Sequence, residues 1–248
     1  MLGYSQNGVM HVKGVRDGDN TYIYIVTEYL GRNFLNMFDL IENNDGKGFG
    51  EDAGRLFLNQ MLDALDYMHN TAGVVHRDLK LENILIDSEL TFKVIDLGLS
   101  DAGNLQQVQG AVGSPSYVAP EVLEEFVYNG PKVDIFSMGV LLFIVVQGKF
   151  PHGTKILSDK YYDLIRSKRY EDYFKAVDGC HLSRAFKKLI MSLLAYNPAE
   201  RPTLEQIRNS AFMREPSYSH EQTRAALLSK VRQVVALKNS KQTEKTRN

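Results

Sequence analysis

The chain has 248 residues, 44% of them hydrophobic, which is enough apolar material for one large domain or two small ones. Its formal net charge of −1 argues against general nucleic-acid binding, because that function depends on a basic surface. The single cysteine, Cys180, excludes an internal disulfide and fits a reducing compartment.

Neither a signal peptide nor a transmembrane segment is predicted. Residues Met1–Met10 lack the apolar core of a signal peptide. The longest apolar run, Met138–Val146, is too short to cross a bilayer. We therefore expect a soluble intracellular protein, located in the cytoplasm or the nucleus.

Two strands are predicted first, at Val9–Val15 and Tyr22–Thr27, on either side of the turn-forming sequence Asp17-Gly18-Asp19-Asn20. Next comes a glycine string, Gly46-Lys47-Gly48-Phe49-Gly50. It follows no strand of a βαβ unit, so we interpret it as a loop and not as a phosphate-binding site. The segment Glu51–His69 is predicted to be helical. Its apolar residues recur at i, i+4, i+8 and i+11 on one face, and they are Phe57, Met61, Leu65 and Met68.

The strongest functional signal is a set of three motifs in a fixed order. His76-Arg77-Asp78, with Asn83 five residues after Asp78, fits the pattern H-R-D-L-x-x-x-N. Asp96-Leu97-Gly98 and then Ala119-Pro120-Glu121 follow at suitable separations. Three motifs in this order indicate one catalytic unit.

The residues between the first two motifs explain their spacing chemically. Asn83 precedes an apolar strand, Ile84–Ile86, and a second strand, Phe92–Ile95, runs back to Asp96. Pairing the first residue of one strand with the last residue of the other places Asn83 opposite Asp96. Two oxygen-bearing side chains then meet at the mouth of one hairpin, and oxygen ligands are those that Mg²⁺ prefers.

Together these motifs resemble eukaryotic-type protein kinases of the Ser/Thr type. Gly113-Ser114-Pro115 and the sequence of the catalytic loop are most similar to those of the calmodulin-dependent and AMP-activated groups. The resemblance covers Val9–Glu215 and implies an α+β, protein-kinase-like fold, with a truncated small lobe of a few antiparallel strands and a mainly helical large lobe. The expected domains are a small-lobe remnant with the hinge (1–30), the large lobe (31–215), and a basic helix with a disordered tail (216–248).

The resemblance also implies the catalytic roles. Asp78 would accept the substrate's hydroxyl proton in an open cleft that water reaches. Lys80 would bring a mobile positive charge to the transferred phosphoryl group, and a lysine at this place marks Ser/Thr specificity. Asn83 and Asp96 would bind Mg²⁺, and these two residues with Lys80 would contact ATP. ATP and Mg²⁺ are therefore the expected cofactors.

The sequence Glu28-Tyr29-Leu30, after the second strand, resembles the hinge between the kinase lobes. In the family, backbone groups of the hinge bond the adenine ring; here they would belong to Glu28 and Leu30, with Thr27 as the gatekeeper. The family's Gly-rich loop, its V-A-I-K lysine and the helix that carries the lysine's partner precede the hinge. Only 27 residues precede Glu28 here, and none match these features.

Two functions from different classes stay open at this point. The first is a protein serine/threonine kinase that transfers the ATP γ-phosphate to a protein hydroxyl. In one form of this hypothesis, the chain is a fragment of a longer kinase. The second is an inactive pseudokinase that acts as a binding module or scaffold, because the small-lobe features are missing. The first is favoured, since pseudokinases usually lose the catalytic Asp or the metal ligands, and Asp78, Asn83 and Asp96 are all present.

Residues Leu99–Val118 would form the activation segment, with Ser114 in its substrate-docking stretch. Arg77 belongs to the class of arginine that pairs with an activation-loop phosphate. However, residues 101–113 contain no Ser, Thr or Tyr, so control by a central phosphorylation is not expected. The structural or regulatory residues implied by the resemblance are His76, Arg77, Gly98, Ser114, Glu121, Asp134 and Arg201.

The central helix of the large lobe is predicted at Pro131–Gly148, with proline in its first turn and glycine at its end. It is apolar nearly all round, so we expect it to be buried. Asp134 is expected to bond the catalytic-loop backbone, as its counterpart does in the family, and compensation of the helix dipole is the alternative. Arg201 matches the family's late arginine, which would pair with Glu121.

The last predicted helix, Glu221–Lys238, is basic and amphipathic. Its predicted apolar stripe consists of Ala225, Leu228, Val231 and Val235. We expect this stripe to pack on the large lobe, and binding of a regulatory partner is the alternative. The polar residues 239–248 are expected to be disordered. Further helices are predicted at Tyr161–Ile165, Ser183–Tyr196 and Thr203–Phe212.

Overall fold

The computed structural model describes the backbone of residues 11–17, 20–26, 34–214 and 220–245, and the side chains of residues 34–214, 222 and 224–237. The predicted hinge residues Thr27, Glu28 and Leu30 lie outside the described residues. Their role in binding adenine therefore stays a prediction.

The first elements are two antiparallel strands, β1 (His11–Asp17) and β2 (Asn20–Val26). This pairing confirms the predicted hairpin, but both strands extend further into the predicted turn. Asp17 faces Asn20 across the ladder, so only two residues connect the strands instead of four.

The rest of the described chain is mainly helical, as expected for a kinase large lobe. Its α-helices are α1 (Met37–Glu42), α2 (Gly50–Asp66), α3 (Pro120–Glu124), α4 (Gly130–Gln147), α5 (Lys160–Arg166), α6 (Tyr170–Ala176), α7 (Arg184–Leu193), α8 (Leu204–Arg208), α9 (Ala211–Arg214) and α10 (His220–Lys245). Its strands are short and antiparallel: β3 (Leu35–Asn36), β4 (Val74–Val75), β5 (Ile84–Ile86), β6 (Phe92–Val94), β7 (Asp101–Ala102), β8 (Val108–Gln109) and β9 (Val127–Tyr128).

Helix α4 forms the core of the lobe and confirms the predicted buried helix. It begins after Asn129, whose side chain accepts a hydrogen bond from the Lys132 N–H, and it ends at Gly148, whose φ of 76° favours glycine. Every residue from Val133 to Val146 is buried. The helix is long and apolar enough to cross a membrane, but 83% of it is buried inside the fold, as in the core helix of a globular domain.

Helix α2 packs against α4 and carries the predicted apolar face. Phe57, Met61 and Leu65 are fully buried. Met68 is only half-buried, because it lies in a π-helical turn, Tyr67–Ala72, that extends the helix. The three buried side chains fix the position of α2 against the core of the lobe.

The glycine string is a loop up to Phe49, as predicted, and Gly50 begins α2; the loop packs against the end of α4. The Phe49 N–H donates to the Val145 carbonyl at 2.8 Å. A Cβ atom at Gly48 would lie 2.0 Å from the Val146 carbonyl oxygen, so only glycine fits there. The string therefore has a packing role at this site.

Helix α10 packs on α1, α2 and β3, which confirms the predicted docking on the large lobe. Its buried residues are Leu227, Val231 and Val234. The predicted stripe is confirmed in part: Val231 is buried, Leu228 and Val235 are half-buried against the core, and Ala225 is exposed. The helix also continues through residues 239–245, where disorder was expected, because no glycine or proline interrupts residues 220–245.

Candidate active site

The catalytic hairpin consists of β5 and β6, and its register differs by one residue from the prediction. Ile84 faces Val94 and not Ile95. The cause lies in the connecting loop, where the Asp87 carboxylate accepts hydrogen bonds from two loop N–H groups at 2.8 Å each. The Asp87 N–H also donates to the Thr91 carbonyl at 3.2 Å, and this bond fixes the pairing that follows.

Gln60 on α2 fastens the hairpin to the helix below it. Its Nε2 donates to the Leu90 carbonyl at 2.9 Å, and its Oε1 accepts from the Phe92 N–H at 3.0 Å. The Phe92 ring also packs edge-on against Phe57 of α2, with the ring centroids 5.3 Å apart. The hairpin is therefore attached to the core on its α2 side.

Asn83 and Asp96 both lie at the mouth of this hairpin, although they are not directly opposite each other. Asn83 faces Ile95, whose N–H donates to the Asn83 carbonyl at 2.9 Å, and Asp96 is the next residue. Asp96 adopts a left-handed φ of 67°, and its Oδ1 accepts from the Gly98 N–H at 3.1 Å. Gly98 thus shapes the turn that presents the Asp96 carboxylate.

The Asp78 carboxylate accepts four hydrogen bonds. Its Oδ1 accepts from the N–H and the hydroxyl of Ser114, at 2.9 and 2.8 Å. Its Oδ2 accepts from Lys80 Nζ at 2.6 Å and from Asn83 Nδ2 at 3.3 Å. Asp78 is only 7% exposed, so the expected open cleft was wrong. Ser114, which lies 36 residues further along the chain, covers the carboxylate.

Lys80 is held in place by hydrogen bonds, whereas a mobile charge was predicted. Its Nζ bonds Asp78 and also donates to Ser114 Oγ at 3.2 Å. The hydrogen bond to Asp78 raises the pKa of Lys80, and the charges of Asp78, Glu82 and Asp96 raise it further, while burial acts in the opposite direction. Lys80 is therefore a protonated ammonium at neutral pH, and its position is set by Asp78.

Asp134 ties down the backbone of the catalytic loop, as predicted. Its fully buried carboxylate accepts hydrogen bonds from the N–H groups of His76 and Arg77, at 2.9 Å each. A third bond joins it to His69 Nε2 at 2.8 Å. His69 was not predicted as a site residue, because a basic residue near a helix end ordinarily only complements the dipole. The demand of a buried carboxylate for partners was the available signal.

His76 links the catalytic loop to the end of β6 that leads to Asp96. The Asp78 N–H donates to its Nδ1 at 3.2 Å, which assigns the proton to Nε2. Nε2 then donates to the Ile95 carbonyl at 3.0 Å, next to Asp96. The buried imidazole therefore sets the spacing between Asp78 and Asp96.

Arg77 contacts the activation segment, while the pairing with a phosphate that is typical of its class stays a prediction. Its Nε donates to the Leu99 carbonyl at 2.6 Å, and its Nη1 donates to the Gln109 carbonyl at 2.8 Å. The same Nη1 lies 3.4 Å from the Asp101 carboxylate. Arg77 therefore joins both ends of the segment that precedes Ser114.

Gly113 allows Ser114 to approach the catalytic loop. Its φ of 112° favours glycine, and a Cβ atom there would lie 2.7 Å from the Arg77 carbonyl oxygen. A side chain at this position would push the segment away from the loop. Gly113 therefore helps to bring the Ser114 hydroxyl to Asp78.

The predicted pair of Glu121 and Arg201 is confirmed. The two Nη atoms of Arg201 donate to the two carboxylate oxygens at 2.5 and 2.7 Å. Both side chains are buried, and the guanidinium also lies over the Phe136 ring, 4.9 Å from its centroid. This fork-to-fork pair anchors the A-P-E motif to the C-terminal part of the lobe.

Asn83 and Asp96 form a donor set that suits Mg²⁺. No group of three or more His, Cys, Asp or Glu side chains in the described part of the chain could hold a metal by itself. Mg²⁺ commonly takes one or two protein oxygens and completes its shell with water and phosphate oxygens. Asn83 Nδ2 donates to the carbonyl and the carboxylate of Asp78, so its Oδ1 is the amide atom that could bind a cation.

Comparisons with known proteins agree with this site. The family model described as "protein kinase domain" matches residues 4–213. CBL-interacting protein kinase 28 of Oryza sativa subsp. japonica is 38% identical over 173 residues, which are 67% of this chain and 37% of that protein.

Two further relatives come from other kingdoms. SNF1-like protein kinase ssp2 of Schizosaccharomyces pombe is 34% identical over 197 residues, which are 76% of this chain and 31% of that protein. NUAK family SNF1-like kinase 2 of Homo sapiens is 38% identical over 193 residues, which are 76% of this chain and 28% of that protein. The chain therefore spans less than two fifths of the length of these curated relatives.

Proposed function

We propose that this chain, which belongs to the protein kinase domain family, transfers the γ-phosphate of ATP to a serine or threonine hydroxyl of a protein substrate. The observation that carries the proposal is the Asp78 carboxylate, which Lys80, Asn83 and Ser114 hold in one orientation. The matched relatives are named as kinases, which supports the same reaction class.

Asp78 supplies the positioning that phosphoryl transfer requires. This reaction needs little covalent chemistry from the protein and depends on alignment and charge neutralisation. A carboxylate fixed by several donors can accept the hydrogen bond of an incoming hydroxyl and orient its oxygen. The Ser114 hydroxyl donates a bond of this kind to Oδ1, at 2.8 Å.

Lys80, Asn83 and Asp96 supply the charge and the oxygen ligands. The ammonium of Lys80 is adjacent to Asp78 and offers a positive charge to a phosphoryl group that approaches it. Asn83 and Asp96 would hold Mg²⁺ between them. When bound, Mg²⁺ neutralises negative charge on the phosphates.

The inactive-scaffold alternative gains no support from the described residues. Asp78, Lys80 and Asn83 are joined by hydrogen bonds, and Asp96 lies at the same hairpin mouth. A scaffold has no need for this arrangement. We therefore retain the kinase as the proposed function.

The proposed partner is a protein substrate, in the cytoplasm or the nucleus. A regulatory partner of α10 is also part of the proposal, because the exposed side chains of Arg224 and Arg232 keep a basic face available after the apolar face has packed on the lobe. The name of CBL-interacting protein kinase 28 states an interaction with CBL for that protein.

The test has a transfer arm and a binding arm. In the first, the chain is incubated with Mg²⁺-ATP and a peptide library that contains Ser, Thr and Tyr, and the phosphorylated residue is identified by mass spectrometry. We expect phosphate on Ser or Thr and none after chelation of Mg²⁺. Phosphate on Tyr alone would contradict the proposal.

The binding arm measures thermal stabilisation by Mg²⁺-ATP. The parent protein should be stabilised, and Asp96→Asn should abolish the Mg²⁺-dependent part. Asp163→Asn makes the same chemical change at an exposed carboxylate and should respond like the parent. If the parent shows no response at millimolar nucleotide, the scaffold alternative is favoured.

A further inference from the structure

We propose that Asp101 takes the place of an activating phosphate: acting through Arg77, it holds the activation segment in its substrate-docking shape without any modification. The inference concerns the regulation of the transfer site and rests on the proposed function. Asp101 is a positioning residue here, because it contacts Arg77 and not the reacting groups.

The first support is the sequence of the segment itself. Residues 101–113 contain no hydroxyl-bearing side chain that could be phosphorylated. The nearest hydroxyls on either side already donate hydrogen bonds: Ser100 Oγ bonds the Leu97 carbonyl at 2.6 Å, and Ser114 Oγ bonds Asp78 Oδ1 at 2.8 Å. The segment therefore offers Arg77 a carboxylate where related segments would offer a phosphate.

The second support is the way in which the segment is anchored. Near its start, β7 (Asp101–Ala102) pairs with β4 (Val74–Val75) beside the catalytic loop. Further along, β8 (Val108–Gln109) pairs with β9 (Val127–Tyr128), which precedes α4. These two ribbons hold the segment against separate parts of the lobe, and a group that joins them would fix its shape.

Arg77 is that group. Its guanidinium contacts the Asp101 carboxylate on β7 at 3.4 Å and the Gln109 carbonyl on β8 at 2.8 Å. The Tyr128 hydroxyl on β9 adjoins the same guanidinium, whose charge offsets part of the rise that burial causes in the pKa of Tyr128. The side chain of Arg77 is only 11% exposed, so its positive charge needs a negative partner nearby.

Asp101 is the acid that neutralises this charge. A phosphate would bring about −1.5 to −2 charges to the guanidinium, and a carboxylate brings one permanently. Asp101 is oriented for the task, since its Oδ1 accepts from the Ala102 N–H at 2.8 Å while its Oδ2 faces Arg77. The ion pair is thus encoded in the sequence and needs no upstream enzyme.

This geometry suggests a substitution that removes only the charge. In Asp101→Asn, the amide oxygen can keep the bond from the Ala102 N–H, while the amide nitrogen replaces the oxygen that faces Arg77. Asp101→Glu keeps the negative charge and should therefore keep the activation segment in its ordered shape. Glu42→Gln makes a comparable charge change at an exposed residue of α1 and serves as the control.

The experiment is hydrogen–deuterium exchange on the full chain after phosphatase treatment, with the absence of phosphate verified by intact mass. We expect residues 101–109 of the parent to be protected. Asp101→Asn should speed exchange in β8 about two- to fivefold, as expected for the loss of a partly exposed ion pair. Asp101→Glu and Glu42→Gln should exchange like the parent. In 1 M salt the difference between Asp101→Asn and the parent should shrink, because salt screens the pair.

Two results would overturn the inference. One is a phosphate-free parent whose segment exchanges freely and becomes protected only after phosphorylation. The other is an Asp101→Asn variant that exchanges like Glu42→Gln.

A kinetic arm separates this inference from the proposed function. If the chain transfers phosphate, Asp101→Asn should raise KM for the peptide about two- to fivefold while leaving KM for ATP unchanged. If no variant transfers phosphate but the exchange pattern is as expected, the proposed function fails and the role of Asp101 in holding the segment stands.

Discussion

Replacing Arg201 by alanine tests how strongly one buried ion pair holds the large lobe together. The fully buried guanidinium donates to both oxygens of Glu121, at 2.5 and 2.7 Å, and to the carbonyls of Ala195 and Lys132, at 2.9 Å each. Its removal leaves the Glu121 carboxylate buried without this counter-charge and takes a donor from the carbonyls of Ala195, Lys132 and Tyr196. The variant should therefore lose far more stability than the deletion of one hydrogen bond would cost.

The magnitude follows from the burial of the pair. Removal of one partner of a buried ion pair costs about 3–5 kcal/mol. For a domain of about this size, each kcal/mol shifts Tm by about 2–4 °C, so Arg201→Ala should melt about 6–20 °C below the parent. The measurement is thermal unfolding followed by circular dichroism, with chemical denaturation as a second assay.

A matched control is available on α8. Arg208 also bonds a carboxylate, that of Asp63 at 2.6 Å, but the two side chains are 35% and 64% exposed. Arg208→Ala should therefore cost about 0–1 kcal/mol. Because replacing both charges removes the orphaned carboxylate, Arg201→Met with Glu121→Leu should be more stable than Arg201→Ala alone. The reasoning is refuted if Arg201→Ala melts together with Arg208→Ala.

Three further predictions concern stability and the activation segment. Asp78→Asn should cost about 1–3 kcal/mol in urea denaturation, because an amide cannot accept all four hydrogen bonds of the buried carboxylate; an unchanged midpoint would contradict its burial. Burial lowers the pKa of His152 below its ordinary value of 6.5, so the folded state disfavours protonation, and stability should fall as pH drops through 6.5 towards the lower folded-state pKa. His152→Phe should remove this dependence, and a parent with a flat profile over that window would speak against it. Gly113→Ala and Gly103→Ala should each cost about 1–3 kcal/mol of stability, because both place a side chain at a positive φ. Only the Cβ atom at residue 113 would meet a backbone oxygen, that of Arg77 at 2.7 Å, so only Gly113→Ala should also reduce phosphate transfer. Equal transfer by the two variants would refute a role for this contact.

The features that could be predicted from the sequence are those that local pattern or motif spacing determines. The buried helix α4 followed from an apolar run between Pro131 and Gly148. The contacts of Asp134 and of Arg201 followed from the resemblance, and their burial agrees with the need of a buried charge for partners. The hinge residues and the chemical roles of the site residues stay predictions.

The predictions that were wrong concern features that depend on contacts between distant segments or on hydrogen bonds within turns. The register of the catalytic hairpin changed by one residue because of the Asp87 side chain, which no apolar pattern reveals. The burial of Asp78 depends on Ser114, and the sequence gives no sign that this serine folds back onto the loop. Helix α6 (Tyr170–Ala176) was not predicted.

The most direct test of the central claim is the single-turnover rate of phosphate transfer by Asp78→Asn, compared with that of the parent under conditions in which circular dichroism shows both to be folded. If the Asp78 carboxylate orients the attacking hydroxyl and accepts its proton, the variant should lose about 10²- to 10⁴-fold in rate while its stabilisation by Mg²⁺-ATP persists. A folded Asp78→Asn variant that transfers phosphate as fast as the parent would contradict the assignment of this site.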